Sequence, residues 1–278
     1  MLISMFIFSA VDTQAKFLTA TIDPLQVVWF RQMGLFFGVI ILLIWRGHQI
    51  LRTAKLGLQI GRGTCAALSA SLFIIGVSYV PLADAVAVTF IAPLLVTIMG
   101  ALLLGEYVGI HRWTAVIVGF VGTLVIIRPG FDSFHPALPL ALTAACLFAG
   151  RQVISRFLSG NDKTETTVAY TAIASTLILS LPIPFVWTTP QTSTEILLII
   201  SMASMAAIAE LLVIKALEIA LAVVVSPMQY TIIIWSSFYG FMVFDQLPDG
   251  YTIGGTAIII LSGLYTLHRE RLRKPVTG

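Results

Sequence analysis

Apolar residues run along this chain in blocks of about twenty, the length an α-helix needs to cross the hydrocarbon core of a bilayer. Short polar stretches separate the blocks. The pattern predicts spans near 2–20, 24–45, 61–80, 84–104, 110–128, 138–158, 166–187, 194–214, 221–244 and 251–268. The predicted fold class is an all-α membrane protein with ten transmembrane helices. No polar stretch exceeds a linker, which leaves no room for a soluble catalytic or nucleic-acid-binding domain. The first block has no basic leading segment and no small-residue cleavage site, and it carries Asp12 and Lys16, so it reads as a retained helix and not as a signal peptide. The missing basic leader also points to a longer natural first helix.

The blocks repeat. "FSAVDTQAKFL" (8–18) lies over "FAGRQVISRFL" (148–158) at a shift of 140, matching Phe8 to Phe148, Lys16 to Arg156 and Phe17-Leu18 to Phe157-Leu158. "LLGEYVGIHRWTAVIVGFVGTLVIIRPG" (103–130) parallels "VFDQLPDGYTIGGTAIIILSGLYTLHRE" (243–270), with Gly122 meeting Gly263 after a slip of one residue. Each unit holds five spans, an odd number, so the second copy threads the bilayer upside down. The expected organisation is two inverted five-helix repeats, 1–130 and 136–270, followed by a basic tail, 271–278. Inverted repeats of this kind are a signature of alternating-access carriers, whose substrate site lies near the midplane between the halves.

Composition supports the membrane reading. Hydrophobic residues make up 58% of the 278 and charged residues 10%, against about 25% charged in soluble domains. The mean hydropathy is +0.98. The net charge of +3 says less than its distribution. With the amino terminus in the cytoplasm, thirteen of the sixteen Lys and Arg fall on the cytoplasmic side and only Lys16, Arg31 and Arg128 do not. The positive-inside rule then puts both termini in the cytoplasm of a cell whose inner membrane the chain spans. Within that scheme Arg46, Arg52, Lys55 and Arg62 form a basic cytoplasmic segment that sets topology. Cys65 and Cys146 sit in apolar segments without a C-x-x-C or Cys/His spacing and read as packing residues. His48, His111, His135 and His268 lie in or beside loops with no metal-ligand spacing, so neither metal nor cofactor is expected.

The segment "VPLADAVAVTFIAPLLVTIMGALLLGEYVGIHRWTAVIVGFVGTLVIIRPG" (80–130) contains "ADA", "AP" and "LGE" landmarks; Arg31 stands in "VVWFRQ", and the second half offers "SPMQYTIIIW" and "LPDGYTIGGTAIIILSGLY". In these features the chain resembles the drug/metabolite transporter superfamily, in its EamA branch of ten-helix proteins built from two repeats. The resemblance implies a secondary carrier with a central cavity and with helices five and ten lying peripheral to it. It leaves the substrate open, since members handle amino acids, riboflavin, S-adenosylmethionine and metallophores. One departure is that the glycine-acid pair Gly105-Glu106 is replaced in the second copy by Asp245-Gln246.

Charges inside spans cost roughly 2.5–3.5 kcal/mol at a helix centre and so face a partner or a wet cavity. Helices one and two are joined only by "TID", which makes them antiparallel neighbours and brings Asp12 within reach of Lys16 at i,i+4 and of Arg31 across the helix gap. As a site, Arg31 and Lys16 take a carboxylate while Asp12 takes an amine or a proton; as structure, the three form a salt bridge with Lys16 snorkelling to the interface. Glu210 is the deep acid of the second half and a candidate for proton coupling. Gln229, Tyr230 and Trp235, with Trp29, Tyr79 and Phe90, are candidates for a cavity wall suited to a partly apolar solute. Pro93, mid-span, frees a backbone carbonyl and is the hinge or gate candidate. Gly119, Gly122, Gly254, Gly255 and Gly263 suit close helix packing.

Without a G-x-x-x-x-G-K-[ST] loop the chain does not itself hydrolyse ATP, and it has neither H-E-x-x-H nor G-x-S-x-G. The leading expectation is a secondary transporter driven by a solute or ion gradient, protons included, working as a monomer or homodimer. It moves a small polar metabolite, most simply an amino acid or derivative, outward. The runner-up is an uptake carrier for a vitamin-like or nucleoside-like solute such as riboflavin or S-adenosylmethionine. An intramembrane enzyme is disfavoured because Asp12 and Glu210 sit at unequal depths in different halves, and a channel because no continuous polar stripe runs along several helices.

Overall fold

The structure, a computed structural model, describes residues 1–104, 110–127, 135–158, 162–219, 229 and 231–272. Among those residues it is built from helices alone. In chain order they are α1 (Leu2–Leu18), α2 (Pro24–Arg46), a 3-10 turn (His48–Leu51), α3 (Leu56–Tyr79), α4 (Leu82–Thr89), α5 (Ala92–Leu104), α6 (Ile110–Ile127), α7 (Leu138–Leu158), α8 (Thr164–Ser180), α9 (Ile183–Val186), α10 (Ser193–Ile219), α11 (Ile232–Phe244) and α12 (Gly250–Leu272).

Each predicted span contains a helix, and two are interrupted. In the fourth, α4 stops at Thr89, Phe90 and Ile91 form a turn, and α5 begins at Ala92. Pro93 explains the break, since it has no N–H to offer the Thr89 carbonyl one turn back. In the seventh, Pro182 and Pro184 withhold donors in the same way, and the long helix ends at Ser180 before the short α9. Helix α3 starts at Leu56, five residues before the predicted boundary, which moves Arg62 from the predicted cytoplasmic end of the span into its second turn. The ninth span is described from α11 onward; most of its predicted first turns, with Tyr230, lie outside the described residues.

The α1–α2 connection is tight because Asp23 caps α2, its carboxylate accepting the Leu25 N–H at 2.8 Å, while Pro24 supplies a φ already set for the first turn. At the other end of α2, Gly47 takes a φ of +73°, a region that favours glycine. Asp245 ends α11 in the left-handed region at φ 54°.

Helix neighbours fall into related pairs. α3 packs on α7 and α8, as α10 packs on α1 and α2; α2 packs on α8; α11 lies against α1 and α4; and α7 lies against α4 and α5. α6 and α12 pack on each other and otherwise chiefly on α4 and α5. Their close approach is set by Gly122 and Gly255: a Cβ on either would meet the other's carbonyl oxygen, at 2.9 and 2.6 Å. Gly254, expected to pack too, faces open space.

Two apolar clusters form the interior. One joins Val11, Leu18, Val27, Val28, Ile74 and Met202 of the helices around α1. The other joins Val77, Leu82, Phe90, Ile126, Leu138 and Ile259 around α4. Large apolar side chains also cover the outside, Trp45 being 83% exposed and Phe185 90%. A soluble protein does not show so extensive an apolar surface, whereas a bilayer covers it. Among the described residues five helical stretches are long and apolar enough to cross a membrane: Pro24–Arg46, Leu56–Tyr79, Leu82–Gly100, Leu138–Ser155 and Ser193–Val213.

Candidate functional site

Helix α1 carries polar residues on more than one face, and each face has a partner. Gln14 turns to α10, accepting from the Ser201 hydroxyl at 2.9 Å. Ser9 meets Ser236 of α11 at 3.2 Å, both buried. Between them Asp12 accepts from Arg31 Nη1 of α2 at 3.0 Å. A second ion pair, Arg46 with Glu165, lies at the surface. The Asp12 side chain is 7% exposed and that of Arg31 19%, so the base is the more accessible partner. Phe8, one turn before Asp12, places its ring 6.0 Å from the Arg31 guanidinium carbon, a cation–π distance. The pair forms because the short α1–α2 link sets the two helices side by side, with Asp12 about 9 Å and Arg31 about 10.5 Å from the linked helix ends at 1.5 Å per residue.

Aromatic residues line the α1–α11 seam about one and a half turns along α1 from Asp12. Phe6 stands edge-on to Trp235 at 5.0 Å and lies 5.6 Å from Tyr239. The Trp235 indole Nε1 is buried and has no acceptor among the described residues. A donor left without an acceptor in an apolar medium costs about 1–3 kcal/mol.

Lys16 does not join the pair. The i,i+4 contact with Asp12 is not made; the ammonium donates to the Val80 carbonyl at 2.6 Å and to Gln246 Oε1 at 3.0 Å, above the Phe244 ring at 5.1 Å. Asp84 of α4 is within its electrostatic reach. Lys16 thus ties α1 to the α3–α4 junction and to the α11–α12 turn. Gln246 is one of the two residues that replace the Gly105-Glu106 pair in the second copy, and Asp245 before it sits in the left-handed conformation that glycine adopts most readily. Gly105 and Glu106 themselves lie outside the described residues. Replacing Lys16 with Met is expected to lower the transport rate several-fold with little change in KM, because it removes a tie and not a solute contact. A raised KM at unchanged maximal rate in vesicle uptake would make Lys16 a solute ligand.

The other predicted residues are spread over the molecule. Trp29 donates to Ser180 Oγ at 2.8 Å and packs with Phe30 and Trp187, which makes it a clamp between α2 and the end of α8. Tyr79 is 65% exposed at the end of α3 and stacks on His135. Phe90 is buried in the core at the helix break and Gln229 is half-buried in a 3-10 turn before α11. Pro93 sits in the first turn of α5. Glu210 is half-buried on α10, and its charge acts on Arg62 of α3. Sequence reasoning missed Arg62 and Arg151. Arg62 Nε donates to Ser155 Oγ of α7 at 2.7 Å, and its Nη1 donates to Thr171 Oγ1 of α8 and to the Thr167 carbonyl. Arg151 lies over the Phe148 ring at 4.8 Å. A helix drawn from residue 56 would have revealed the first.

A model of the EamA-like transporter family matches residues 1–128, the stretch that holds α1 to α6. A riboflavin transporter of Vibrio cholerae is 33% identical over 219 residues, covering 77% of this chain and 72% of that protein. The chain belongs to the EamA-like transporter family. Over a longer alignment, an S-adenosylmethionine uptake transporter of Rickettsia prowazekii is 27% identical across 274 residues, 97% of this chain and 92% of the relative. A pseudopaline exporter of Pseudomonas aeruginosa is 26% identical across 262 residues, 92% of this chain and 90% of the relative. A crystal structure 18% identical in sequence superposes with a TM-score of 0.63 over 98% of both chains, which establishes the fold. This EamA chain is therefore a multi-pass membrane transporter and not an enzyme.

Proposed function

We propose that this EamA chain is an uptake carrier for S-adenosylmethionine or a close chemical relative. The observation that carries the reading is the α1–α2–α11 site: one buried acid, one more accessible base, and an aromatic wall one to two turns away. S-Adenosylmethionine presents the complementary set. Its carboxylate suits Arg31, its ammonium and sulfonium suit Asp12 and the Phe8 ring, and its adenine suits Trp235 and Phe6 with an acceptor for the indole N–H. The 97% coverage by a relative named for that solute supports the same choice. The amino-acid exporter favoured by sequence alone is less well supported, since its two charges do not account for the aromatic seam. Riboflavin is the second reading, favoured by the Vibrio relative and by the same aromatic wall, although its uncharged ring leaves the Asp12–Arg31 pair without a solute partner.

Alternating access by two inverted repeats, 1–130 and 136–270, fits the helix neighbours, because the α3–α7 and α10–α1 contacts, and the α3–α8 and α10–α2 contacts, exchange when the repeats exchange. In this scheme the chain lies in an inner membrane with both termini and the 271–278 tail in the cytoplasm, and a solute or proton gradient drives it. Lys16 closes the outer side and Pro93 shapes the broken fourth span.

A competition panel tests the substrate. Purified protein is expected to gain thermal stability with S-adenosylmethionine, and unlabelled S-adenosylmethionine to displace its labelled form more effectively than riboflavin or methionine. Stabilisation by riboflavin alone would transfer the assignment to the second reading.

A further inference from the structure

The charges of the Asp12–Arg31 site balance one to one. On the opposite side of the bundle they do not. Arg62 of α3 lies in the field of Arg151 of α7 and of Glu210 of α10, so that this group sets two guanidinium groups against one carboxylate. At 1.5 Å per residue they are about 9, 10.5 and 13.5 Å from the ends of α3, α7 and α10 that face away from Lys16, and so share roughly one level. Two acids at that end have partners of their own: Asp162 accepts from Thr53 and Gln59, and Glu165 pairs with Arg46. Arg151 spreads over Phe148, and its Nε is buried with no acceptor among the described residues. An excess cation held inside a membrane bundle is expensive unless an anion visits it.

The repeat gives this cluster a further meaning. Under the shift of 140, α7 stands for α1 and Thr171 stands where Arg31 does. Thr171 is the residue that receives Arg62. In the second repeat Arg62 thus meets the position that Arg31 holds in the first, and Arg151 stands next to Gln152, the counterpart of Asp12, on the other side of the midplane. Arg62 comes from α3 instead of the repeat's own second helix, which is why the internal alignment alone does not reveal it.

We infer that Arg62 and Arg151 form a second solute subsite, which takes the carboxylate of the transported solute as it passes from Arg31 towards the opposite face. Two guanidinium groups offer a carboxylate charge-assisted hydrogen bonds, and Glu210 limits how tightly it is held, so that the solute can leave. The inference rests on the proposed substrate carrying a carboxylate, as S-adenosylmethionine does.

The protein contains its own probe. Cys65 is free, half-exposed, one turn beyond Arg62 and within the field of Arg151. In vesicles holding the Cys146→Ser protein, Cys65 is treated with sulfonatoethyl and trimethylammonioethyl methanethiosulfonate, one anionic and one cationic. The rate ratio, normalised to that of a small free thiol, is expected to favour the anionic reagent on the order of tenfold. Arg151→Gln is expected to remove most of that preference and Arg151→Lys to keep it. Millimolar S-adenosylmethionine is expected to slow the modification, and its decarboxylated form to do so far less. A wild-type ratio equal to that of the free thiol overturns the subsite, as does equal protection by the two ligands. An intact anionic preference with protection by methionine, in vesicles that do not transport S-adenosylmethionine, supports the subsite and overturns the substrate assignment instead.

Discussion

Exchanging the two partners, as Asp12→Arg with Arg31→Asp, is expected to recover most of the thermal stability lost in either single Ala variant and none of the transport. Asp12→Ala leaves the Arg31 guanidinium inside the bundle without its carboxylate, beside the Phe8 ring, and stranding one member of a buried pair costs about 3–5 kcal/mol. The exchange restores the pair but presents the acid from α2 and the base from α1, so a solute that reads the polarity of the site meets it reversed. Asp12→Asn keeps an acceptor for Arg31 and should fold, while its transport falls by roughly a hundredfold, equivalent to about 2.8 kcal/mol of lost solute interaction. Melting temperature in detergent and uptake into vesicles separate the two effects. Full transport by the exchanged protein would mean that the pair is only a structural brace.

The second large effect concerns Gly34 of α2, which the sequence did not single out. A Cβ there would fall on the backbone carbonyl of Ala203 in α10, an atom that cannot rotate away. Gly34→Ala is expected to cost about 1–3 kcal/mol by overpacking, and Gly34→Leu to prevent α2 and α10 from closing. Gly38, one turn further along the same helix, has nothing within 4 Å of its Cβ position. Gly38→Ala should be neutral or stabilising by about 0.5–1 kcal/mol, the usual gain from replacing a helical glycine. Yield of monodisperse protein and melting temperature check the contrast. Equal losses at Gly34 and Gly38 would show that helix propensity, and not the α2–α10 contact, governs both.

Hydropathy alone located the spans, because twenty apolar residues in lipid have no alternative to a helix whose backbone groups are satisfied internally. The Asp12–Arg31 contact was legible too, since a three-residue link leaves α1 and α2 little freedom. Contacts between distant segments were not. Nothing in the local pattern says that Lys16 will reach Gln246, that Arg62 will reach Thr171, or that Gly34 meets Ala203; each pair is set by which helices become neighbours. Arg62 was misplaced for a second reason. The stretch "LGLQI" before it carries a single polar residue, Gln59, but the nearby Lys55 and Arg52 made the whole segment look like a loop, whereas Gln59 is buried and bonded to Asp162. Trp29 and Tyr79 were grouped with the site because they are aromatic and lie in spans. The structure gives them partners at helix ends, Ser180 and His135.

Counterflow tests the central claim, a carrier that alternates access and binds S-adenosylmethionine at the Asp12–Arg31 site. Vesicles containing the protein are loaded with unlabelled S-adenosylmethionine, and entry of the labelled compound from outside is timed. A carrier predicts a transient accumulation above equilibrium in wild type, absent in empty vesicles and lost in Asp12→Asn. Labelled solute that enters at the same rate whether or not unlabelled solute is trapped inside, or an Asp12→Asn protein that matches wild type, would contradict it.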